Sequence, residues 1–231
     1  MYIHCHSQQN FGDALAPYLY KKFTNKEPVL LPMKDPRPKL IITGSLLEEP
    51  NIGRAEVWGA GIAWRNKKLQ RPYKCHAVRG PISAEMCVDS GFTPKAYGDP
   101  ALLLPMVYTP KPTTTHKVSV VPSWVDKEII EKHFDVNVID VFDPIEDVID
   151  QITSSEQVYC TCLHGLICAA AYGIRCRWLE VSNNLVGDGT KFNDFLASIK
   201  VPGYNPRIAE EAFVHKLDID LNKLLDSCPF L

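Results

Sequence analysis

The chain has 231 residues, of which 45% are hydrophobic and 23% are charged, and its formal net charge at pH 7 is −2. This length and composition predict a globular protein of one large or two small domains. The balanced, scattered charges argue against a nucleic-acid partner, and the apolar runs are too short for stable membrane insertion. Residues 1–6 lack the basic and apolar segments of a signal peptide, so we expect a cytoplasmic protein.

Eight cysteines allow two further interpretations, a disulfide framework and a zinc site. Cys160 and Cys162 flank Thr161, but residues two apart on a strand lack the chelate geometry that zinc prefers. Most of the cysteines lie within apolar strand or helix patterns, which favours buried reduced thiols: Cys5, Cys160, Cys162, Cys168 and Cys176. We therefore expect neither disulfides nor a metal site.

The first part of the chain alternates short apolar strands with helices. The patterns predict strands at residues 2–5, 40–43, 56–58 and 76–79, and helices at residues 13–23 and 82–90. Several of these strands end in glycine-rich turns, such as Gly44-Ser45 and Gly59-Ala60-Gly61. Such turns are typical of the carboxyl edge of a parallel sheet, where ligands bind.

Residues 108–116 contain two prolines and no periodicity, and they are predicted to form a linker. Beyond it the patterns predict strands at residues 118–121, 137–141, 158–162 and 177–181, and helices at residues 125–134, 144–152, 166–172 and 188–199. We therefore predict an α/β fold of two Rossmann-like halves, residues 1–110 and 115–231, which face each other across a cleft. The tail from residue 205 is expected to pack back across the fold, because its apolar residues follow helical spacing: Phe213, Leu217, Leu221, Leu224 and Leu225.

The segment Thr161-Cys162-Leu163-His164-Gly165 stands between a predicted buried strand and an alanine-rich helix. This layout presents free backbone N–H groups and the positive end of the helix dipole to a ligand. His164 adds a proton donor or a positive charge near neutral pH. The alternative is that His164 is only a polar cap on a buried helix.

Other polar residues stand at predicted strand ends or helix starts. In Asn10-Phe11-Gly12-Asp13, the polar residues are either helix caps or part of a site with Asp13 as acid or base. Arg79 ends a strand, and its guanidinium suits a carboxylate or phosphate, or else a surface salt bridge. Asp99 is expected to cap the helix that follows it, and Lys191 to be solvated unless a ligand engages it.

Taken in chain order, these segments resemble the polysaccharide pyruvyl transferase family, and most closely its exopolysaccharide ketal-pyruvate transferase branch. The resemblance covers residues 2–199 and depends on the order of the segments rather than on any single one. The final segment is similar to that branch's Lys-Trp-x-Asp-Trp-x-x-Ser signature. The matching segments are Asn10-Phe11-Gly12-Asp13, Gly44-Ser45, Trp58-Gly59-Ala60-Gly61, Arg79-Gly80-Pro81, Gly98-Asp99-Pro100-Ala101, Leu163-His164-Gly165 and Lys191-Phe192-Asn193-Asp194-Phe195-Leu196-Ala197-Ser198.

The resemblance implies a transferase that moves pyruvate from phosphoenolpyruvate onto two hydroxyls of a sugar in a polysaccharide or glycan, forming a cyclic ketal. It also implies a fold similar to a GT-B glycosyltransferase, with the acceptor on the first half and the donor on the second. No cofactor is implied beyond phosphoenolpyruvate as the donor substrate. His164 is implied as general acid or phosphate partner, and Asp13 is the candidate base for the sugar hydroxyl.

The resemblance further implies a donor site in which Arg79 holds phosphoenolpyruvate, with Ser83, Gly165 and Lys191 as additional contacts. The other matched residues are expected to line the cleft: Asn10, Gly12, Gly44, Ser45, Gly61 and Asp99. Many family members carry an arginine two residues before the histidine, where this chain has Cys162, although the exopolysaccharide branch also lacks that arginine. Lys191, Arg175 or Arg177 would then supply the missing positive charge.

Two other functions fit the same sequence. A nucleotide-sugar glycosyltransferase of GT-B type would use the same fold, although the second half shows no acidic donor motif. A non-catalytic carbohydrate-binding descendant would fit Cys162 and the short chain. The retained Arg79, His164 and Asp13 argue against that second alternative.

Overall fold

The computed structural model describes residues 1–6, 9–112 and 115–231 and has an α/β fold with two mainly parallel sheets. The first sheet has the order β2-β1-β3-β4-β5-β6, and every neighbouring pair in it is parallel. Its strands are β1 (Tyr2–Ile3), β2 (Val29–Leu30), β3 (Lys39–Ile41), β4 (Ala55–Trp58), β5 (Lys74–Val78) and β6 (Ala96–Tyr97). The central strands are buried, as their apolar sequences predict.

The second sheet has the order β11-β10-β9-β7-β8. Its strands are β7 (His116–Val121), β8 (Asn137–Val138), β9 (Ser155–Cys160), β10 (Arg175–Trp178) and β11 (Phe213–Val214). All pairs are parallel except β10 with β11. The predicted fold class, two Rossmann-like halves, is therefore confirmed, whereas the domain limits at residues 110 and 115 stay a prediction.

Helices cover the faces of the two sheets. They are α1 (Phe11–Thr24), α2 (Pro81–Asp89), α3 (Leu104–Val107), α4 (Lys127–His133), α5 (Ile145–Thr153), α6 (Leu163–Ala171), α7 (Thr190–Ser198) and α8 (Leu221–Asp226). Asn10 caps the start of α1, which ends at Asn25 in the left-handed region. Within the described ranges, none of these helices is long and apolar enough to cross a bilayer.

The structure differs from three of the sequence predictions. His164 is not a cap, because α6 begins at Leu163 and Cys162 holds the N-cap position. The helix predicted from residue 188 begins only at Thr190, since Gly189 has a positive φ of 82°. In the tail, the predicted helical spacing is wrong at Phe213, which lies in β11 and pairs with the edge of β10.

The predicted linker contacts the second half at Tyr108 and Lys111. The backbone N–H of Lys111 and the hydroxyl of Tyr108 both donate to Asp150 of α5, at 2.8 and 2.9 Å. Thr113 and Thr114 of this linker lie outside the described residues. These contacts explain why a proline-rich segment without periodicity still occupies a defined path.

The two halves exchange elements at both ends of the chain and share one hydrophobic core. Helix α1 packs on α5 and α6 of the second half, and the N–H of Phe11 donates to Val141 O at 2.6 Å. Helix α8 returns to the first half, where Trp58 Nε1 donates to Leu224 O at 2.9 Å. Phe230 then packs edge-on against Trp58, with ring centroids 5.3 Å apart. Exchange of elements limits independent movement of the halves, because separation would expose this shared core.

A buried ion pair also joins the halves, between Arg79 at the end of β5 and Asp194 in α7. Arg79 Nε lies 3.2 Å from Asp194 Oδ2, and both side chains are fully buried. Asp194 also accepts hydrogen bonds from the backbone N–H and the hydroxyl of Ser83, at 3.0 and 2.6 Å. The Asp194 side chain, which belongs to the second half, thus caps the start of α2 in the first half. Gly80 permits this approach, because a Cβ there would lie 2.5 Å from Asp194 Oδ1.

We predict that Asp194→Asn destabilises the fold by about 3 kcal/mol or more, because it leaves the buried Arg79 guanidinium without a counter-charge. Urea unfolding measures the change. Glu85→Gln is the matched control, since Glu85 pairs with Arg65 on the surface, and its loss should cost less than about 1 kcal/mol. Equal effects of the two substitutions would contradict the role given to Asp194.

A second buried polar residue, His215, follows β11 and is only 2% exposed. Its ring packs on Phe213, with centroids 4.6 Å apart. Burial, reinforced by the nearby positive charge of Arg177, lowers the pKa of His215 to about 4. The folded protein therefore keeps this histidine neutral at pH values where an unfolded chain would protonate it.

We predict that the free energy of unfolding falls as pH is lowered from about 6.5 toward 4, because the unfolded chain then binds a proton that the folded His215 does not. The slope from this residue is on the order of 1 kcal/mol per pH unit. Denaturant titrations of the wild type and of His215→Gln at several pH values measure it. An identical pH dependence in both proteins would contradict this assignment.

Candidate active-site cleft

A cleft of about 380 Å³ lies between the carboxyl edges of the two sheets and is lined by residues of both halves. It brings together six of the residues singled out in the sequence: Asn10, Asp13, Gly44, Ser45, His164 and Lys191. The other six lie behind its surface: Gly12, Gly61, Arg79, Ser83, Asp99 and Gly165. Six of the twelve predicted residues thus line one cleft, and their role in binding or catalysis stays a prediction.

His164 stands at the cleft wall and is paired with a carboxylate from the other half. His164 Nε2 lies 3.6 Å from Asp99 Oδ2, at ion-pair distance, and neither atom has a hydrogen-bond partner among the described residues. Asp99 also caps the short 3-10 helix at Pro100–Leu103, because its Oδ1 accepts from Ala101 N at 3.0 Å. The predicted capping role is therefore present, and the second carboxylate oxygen remains directed at the histidine.

Gly12 is needed for this arrangement because the imidazole packs directly against it. A Cβ at Gly12 would overlap His164 Nδ1 and lie 3.1 Å from its Cγ. The side chain of His164 is 9% exposed, so only an edge of the ring reaches the cleft. The ring is thus fixed between Gly12 and Asp99.

The start of α6 contributes backbone N–H groups beside the histidine. Cys162 lines the cleft at the N-cap position, where its side chain makes no capping hydrogen bond, and the N–H groups of His164 and Gly165 lie close to it. Burial outweighs these contacts and raises the pKa of Cys162, so the thiol is neutral at physiological pH. Gly165 also allows close packing, since a Cβ there would lie 2.6 Å from Val121 Cγ1.

Asp13 faces the cleft from the first turn of α1 and is oriented by Asn10. Asn10 Oδ1 accepts from the backbone N–H of Asp13 at 3.1 Å, and Asn10 Nδ2 donates to Asp13 Oδ2 at 2.7 Å. These reciprocal bonds hold the carboxylate in one position while leaving it partly exposed. The capping and site interpretations of this segment are therefore compatible.

Arg79 is fully buried and does not line the cleft, and its predicted place at the donor stays a prediction. Its guanidinium is fully buried and donates to Ser45 Oγ at 2.9 Å and to the carbonyl of Ile62, besides its ion pair with Asp194. Gly61 makes room for it, since a Cβ there would lie 2.5 Å from Arg79 Cζ. Arg79 therefore acts on the cleft through Ser45. Ser83 is also buried, and its hydroxyl is held by Asp194.

Lys191 is the one Lys or Arg side chain that lines the cleft within the described ranges. Its ammonium donates to Val186 O at 2.9 Å, and burial together with the nearby Arg79 lowers its pKa. The other two cations considered from the sequence lie elsewhere: Arg175 pairs with Glu211 and Arg177 with Glu210. Lys191 is thus the cation that remains to offset Cys162 in place of an arginine.

Several cleft residues were not singled out in the sequence: His6, Glu49, Ser123 and Trp124. Trp124 is 63% exposed, which is unusual for the largest apolar side chain. Trp124 follows β7 at the carboxyl edge of the sheet, and this position in the sequence could have identified it as a cleft residue. No group of three His, Cys, Asp or Glu side chains in the described ranges is arranged to hold one metal ion.

Comparison with known proteins gives related sequences and a related fold. A sequence model of the polysaccharide pyruvyl transferase family matches residues 10–183. An uncharacterized protein of Acanthamoeba polyphaga mimivirus is 25% identical over 215 residues, which cover 85% of this chain and 74% of that protein. The crystal structure of a functionally uncharacterized protein from Klebsiella pneumoniae has a similar fold, with a TM-score of 0.51 and 16% identity over 84% of this chain and 86% of that one.

The family match spans most of the chain and includes the elements that build the cleft, from Asn10 and Asp13 to His164. The fold of that solved structure agrees with the two Rossmann-like halves predicted from the alternation of strands and helices. The chain belongs to the polysaccharide pyruvyl transferase family and is, by that membership, a transferase.

Proposed function

We propose that the protein transfers pyruvate from phosphoenolpyruvate to two hydroxyls of a sugar in a polysaccharide or glycan, forming a cyclic ketal and releasing phosphate. One observation carries the proposal: His164, fixed between Asp99 and Gly12, faces the same cleft as Lys191 and the start of α6. This set joins a proton donor to an anion site. The reaction requires both together, since phosphoenolpyruvate is a polyanion whose methylene carbon must be protonated.

The donor fits the second-half wall of the cleft. Lys191 supplies a positive charge, and the N–H groups of His164 and Gly165 supply the positive end of α6. Ser45, held by Arg79, is a hydroxyl donor on the opposite wall. Phosphate and carboxylate oxygens would take these donors in place of water.

His164 is the proposed general acid that protonates C3 of phosphoenolpyruvate, and this leaves an oxocarbenium-like C2. The first sugar hydroxyl forms a bond to C2 as Asp13 accepts its proton. The C2–O bond to phosphate then breaks, the proton held by Asp13 leaves on phosphate, and the second hydroxyl closes the ketal as its proton returns to His164. Of the two hydroxyl protons, one is balanced by the new methyl C–H and the other leaves on phosphate. Asp99 holds the ring of His164 in place, as the carboxylate of a catalytic triad holds its histidine.

The direct test is incubation with phosphoenolpyruvate and a library of neutral glycans, followed by phosphate assay and mass spectrometry. Pyruvylation adds to a glycan the mass of one pyruvate less one water, with one phosphate released per ketal. Transfer of a sugar from a nucleotide sugar under the same conditions would replace this proposal by a glycosyltransferase activity. Glycan binding without either reaction would indicate a non-catalytic protein.

We predict that phosphoenolpyruvate raises the melting temperature of the wild type, because a ligand that binds only the folded state stabilises it by mass action. Each kcal/mol should raise the midpoint by about 2–4 °C at this chain length. Lys191→Met should remove most of the shift. Lys200→Met, an exposed lysine paired with Asp218, is the control and should keep it. A full shift in Lys191→Met would contradict the donor site proposed here.

We predict that His164→Asn lowers turnover about 100- to 10,000-fold, the range expected for loss of a general acid, while the thermal shift by phosphoenolpyruvate persists. Asp99→Asn should cause a smaller loss, because the imidazole keeps its place but loses its negative partner. Steady-state phosphate release measures both. His133→Asn, on α4 and outside the cleft, should behave as wild type, and wild-type turnover in His164→Asn would exclude the histidine from the chemistry.

A further inference from the structure

Trp124 is an exposed aromatic side chain of the cleft wall that has no part in the reaction steps proposed above. Its exposed fraction is 63%, and among the described cleft residues only Val186 is another large hydrophobic side chain with more than half of its surface exposed. An indole ring left in water forgoes the free energy that burial of its large apolar surface would release. Its place in a cleft therefore points to a ligand that covers it.

The residues on either side of Trp124 are anchored in the second half. The backbone N–H of Ser123 donates to Thr161 Oγ1 at 2.8 Å, and that of Asp126 donates to Ser123 O at 2.9 Å. Asp126 is fully buried, and its Oδ1 accepts from the hydroxyl of Ser182. Trp124 thus presents its side chain to the cleft from a fixed backbone, which lowers the cost of ordering it when a ligand binds.

The polar residues of the same cleft indicate the chemistry of that ligand. Asp13 and Glu49 line the cleft with carboxylates, which accept hydrogen bonds from hydroxyls, whereas the indole ring favours contact with C–H groups. A pyranose combines both, because its hydroxyls surround the ring edge and a face without axial hydroxyls presents only C–H groups. A nucleotide fits less well, since Lys191 is the single Lys or Arg side chain among the described cleft residues that could meet its diphosphate.

We propose that Trp124 determines acceptor specificity by stacking on one pyranose ring of the acceptor, through a ring face that carries no axial hydroxyl. Because this role rests on the proposed function, the stacked sugar is the one that receives the pyruvate. Stacking fixes the plane of the sugar and leaves its hydroxyl edge free to meet Asp13 and His164. A pyranose with an axial hydroxyl on each face cannot lie flat on the indole ring and should bind poorly.

Protection of Trp124 from quenching of its fluorescence by acrylamide tests the stacking without turnover. The chain has four tryptophans, of which Trp58 and Trp178 are buried and Trp64 does not line the cleft. A Trp64→Phe background therefore leaves Trp124 as the main accessible fluorophore. Methyl β-glucopyranoside and methyl β-galactopyranoside, each with a face free of axial hydroxyls, should lower the quenching constant. Methyl β-gulopyranoside, with an axial hydroxyl on each face, should bind about fivefold more weakly or worse.

Saturation-transfer NMR with the same glycosides tests the residue itself. Trp124→Ala should weaken binding of the glucoside and the galactoside about fivefold or more, and Trp124→Phe should keep part of the affinity because a smaller ring still stacks. Tyr73→Ala is the matched control, since Tyr73 is also 63% exposed but does not line the cleft, and it should bind as the wild type does. The melting temperature of Trp124→Ala without ligand should stay near the wild-type value.

Glycosides that fail to protect Trp124, equal affinities for all three, or unchanged binding in Trp124→Ala would overturn this role. Protection by uridine diphosphate or adenosine diphosphate in place of the glycosides would also overturn it, in favour of a nucleotide. Glycoside binding that depends on Trp124, without phosphate release from phosphoenolpyruvate, would count against the proposed function alone. Phosphate release with an unchanged acceptor KM in Trp124→Ala would count against the role of Trp124 alone.

Discussion

The buried ion pair between Arg79 and Asp194 is the constraint on which the site depends. A guanidinium and a carboxylate without exposed surface are stable only when each satisfies the other, so the two halves must meet where these residues meet. Asp194 thereby fixes the start of α2 through Ser83, and Arg79 fixes Ser45 at the cleft wall. Lys191 lies one turn before Asp194 on α7, so the same contact places the cation of the cleft.

Three glycines allow close packing around the polar residues of this network, two of them across the two halves. Gly12, Gly61 and Gly80 each stand where a Cβ would overlap a residue of the network: His164, Arg79 and Asp194 respectively. Glycine is needed at these three positions because it has no Cβ. None of the three has the positive φ that would also favour glycine. The glycines of the matched motifs therefore serve packing of the supporting layer more than direct contact with a ligand.

The sequence was sufficient for the fold class and for the residues at the cleft edge, since strands followed by polar turns identify the carboxyl edge of a parallel sheet. Asn10, Asp13, Ser45 and His164 follow from that rule, whereas Lys191 was singled out only by the family resemblance. It could not place Arg79, because burial of an arginine depends on a carboxylate far away in the chain. The sequence predicts the capping role of Asp99, because the capped residues follow it directly. It does not predict the contact of Asp99 with His164, because that residue is distant in the chain.

Trp178 and the short strands also escaped prediction, for related reasons. Two-residue strands such as β2 and β6 carry too few residues for a periodic pattern. A tryptophan at the end of β10 is indistinguishable in sequence from any core aromatic, and only its unpartnered Nε1–H separates it. These features depend on contacts between residues far apart in the chain, which local sequence patterns do not reveal.

A crystal structure of the complex with phosphoenolpyruvate would test the central claim most directly, through the distance from the Arg79 guanidinium to the nearest donor oxygen. We expect Arg79 to stay paired with Asp194 while the donor contacts Lys191, His164 and the start of α6. A guanidinium turned into the cleft and bonded to the donor, with Asp194 left unpaired, would contradict it. That result would make Arg79 the donor clamp itself and not the support of Ser45.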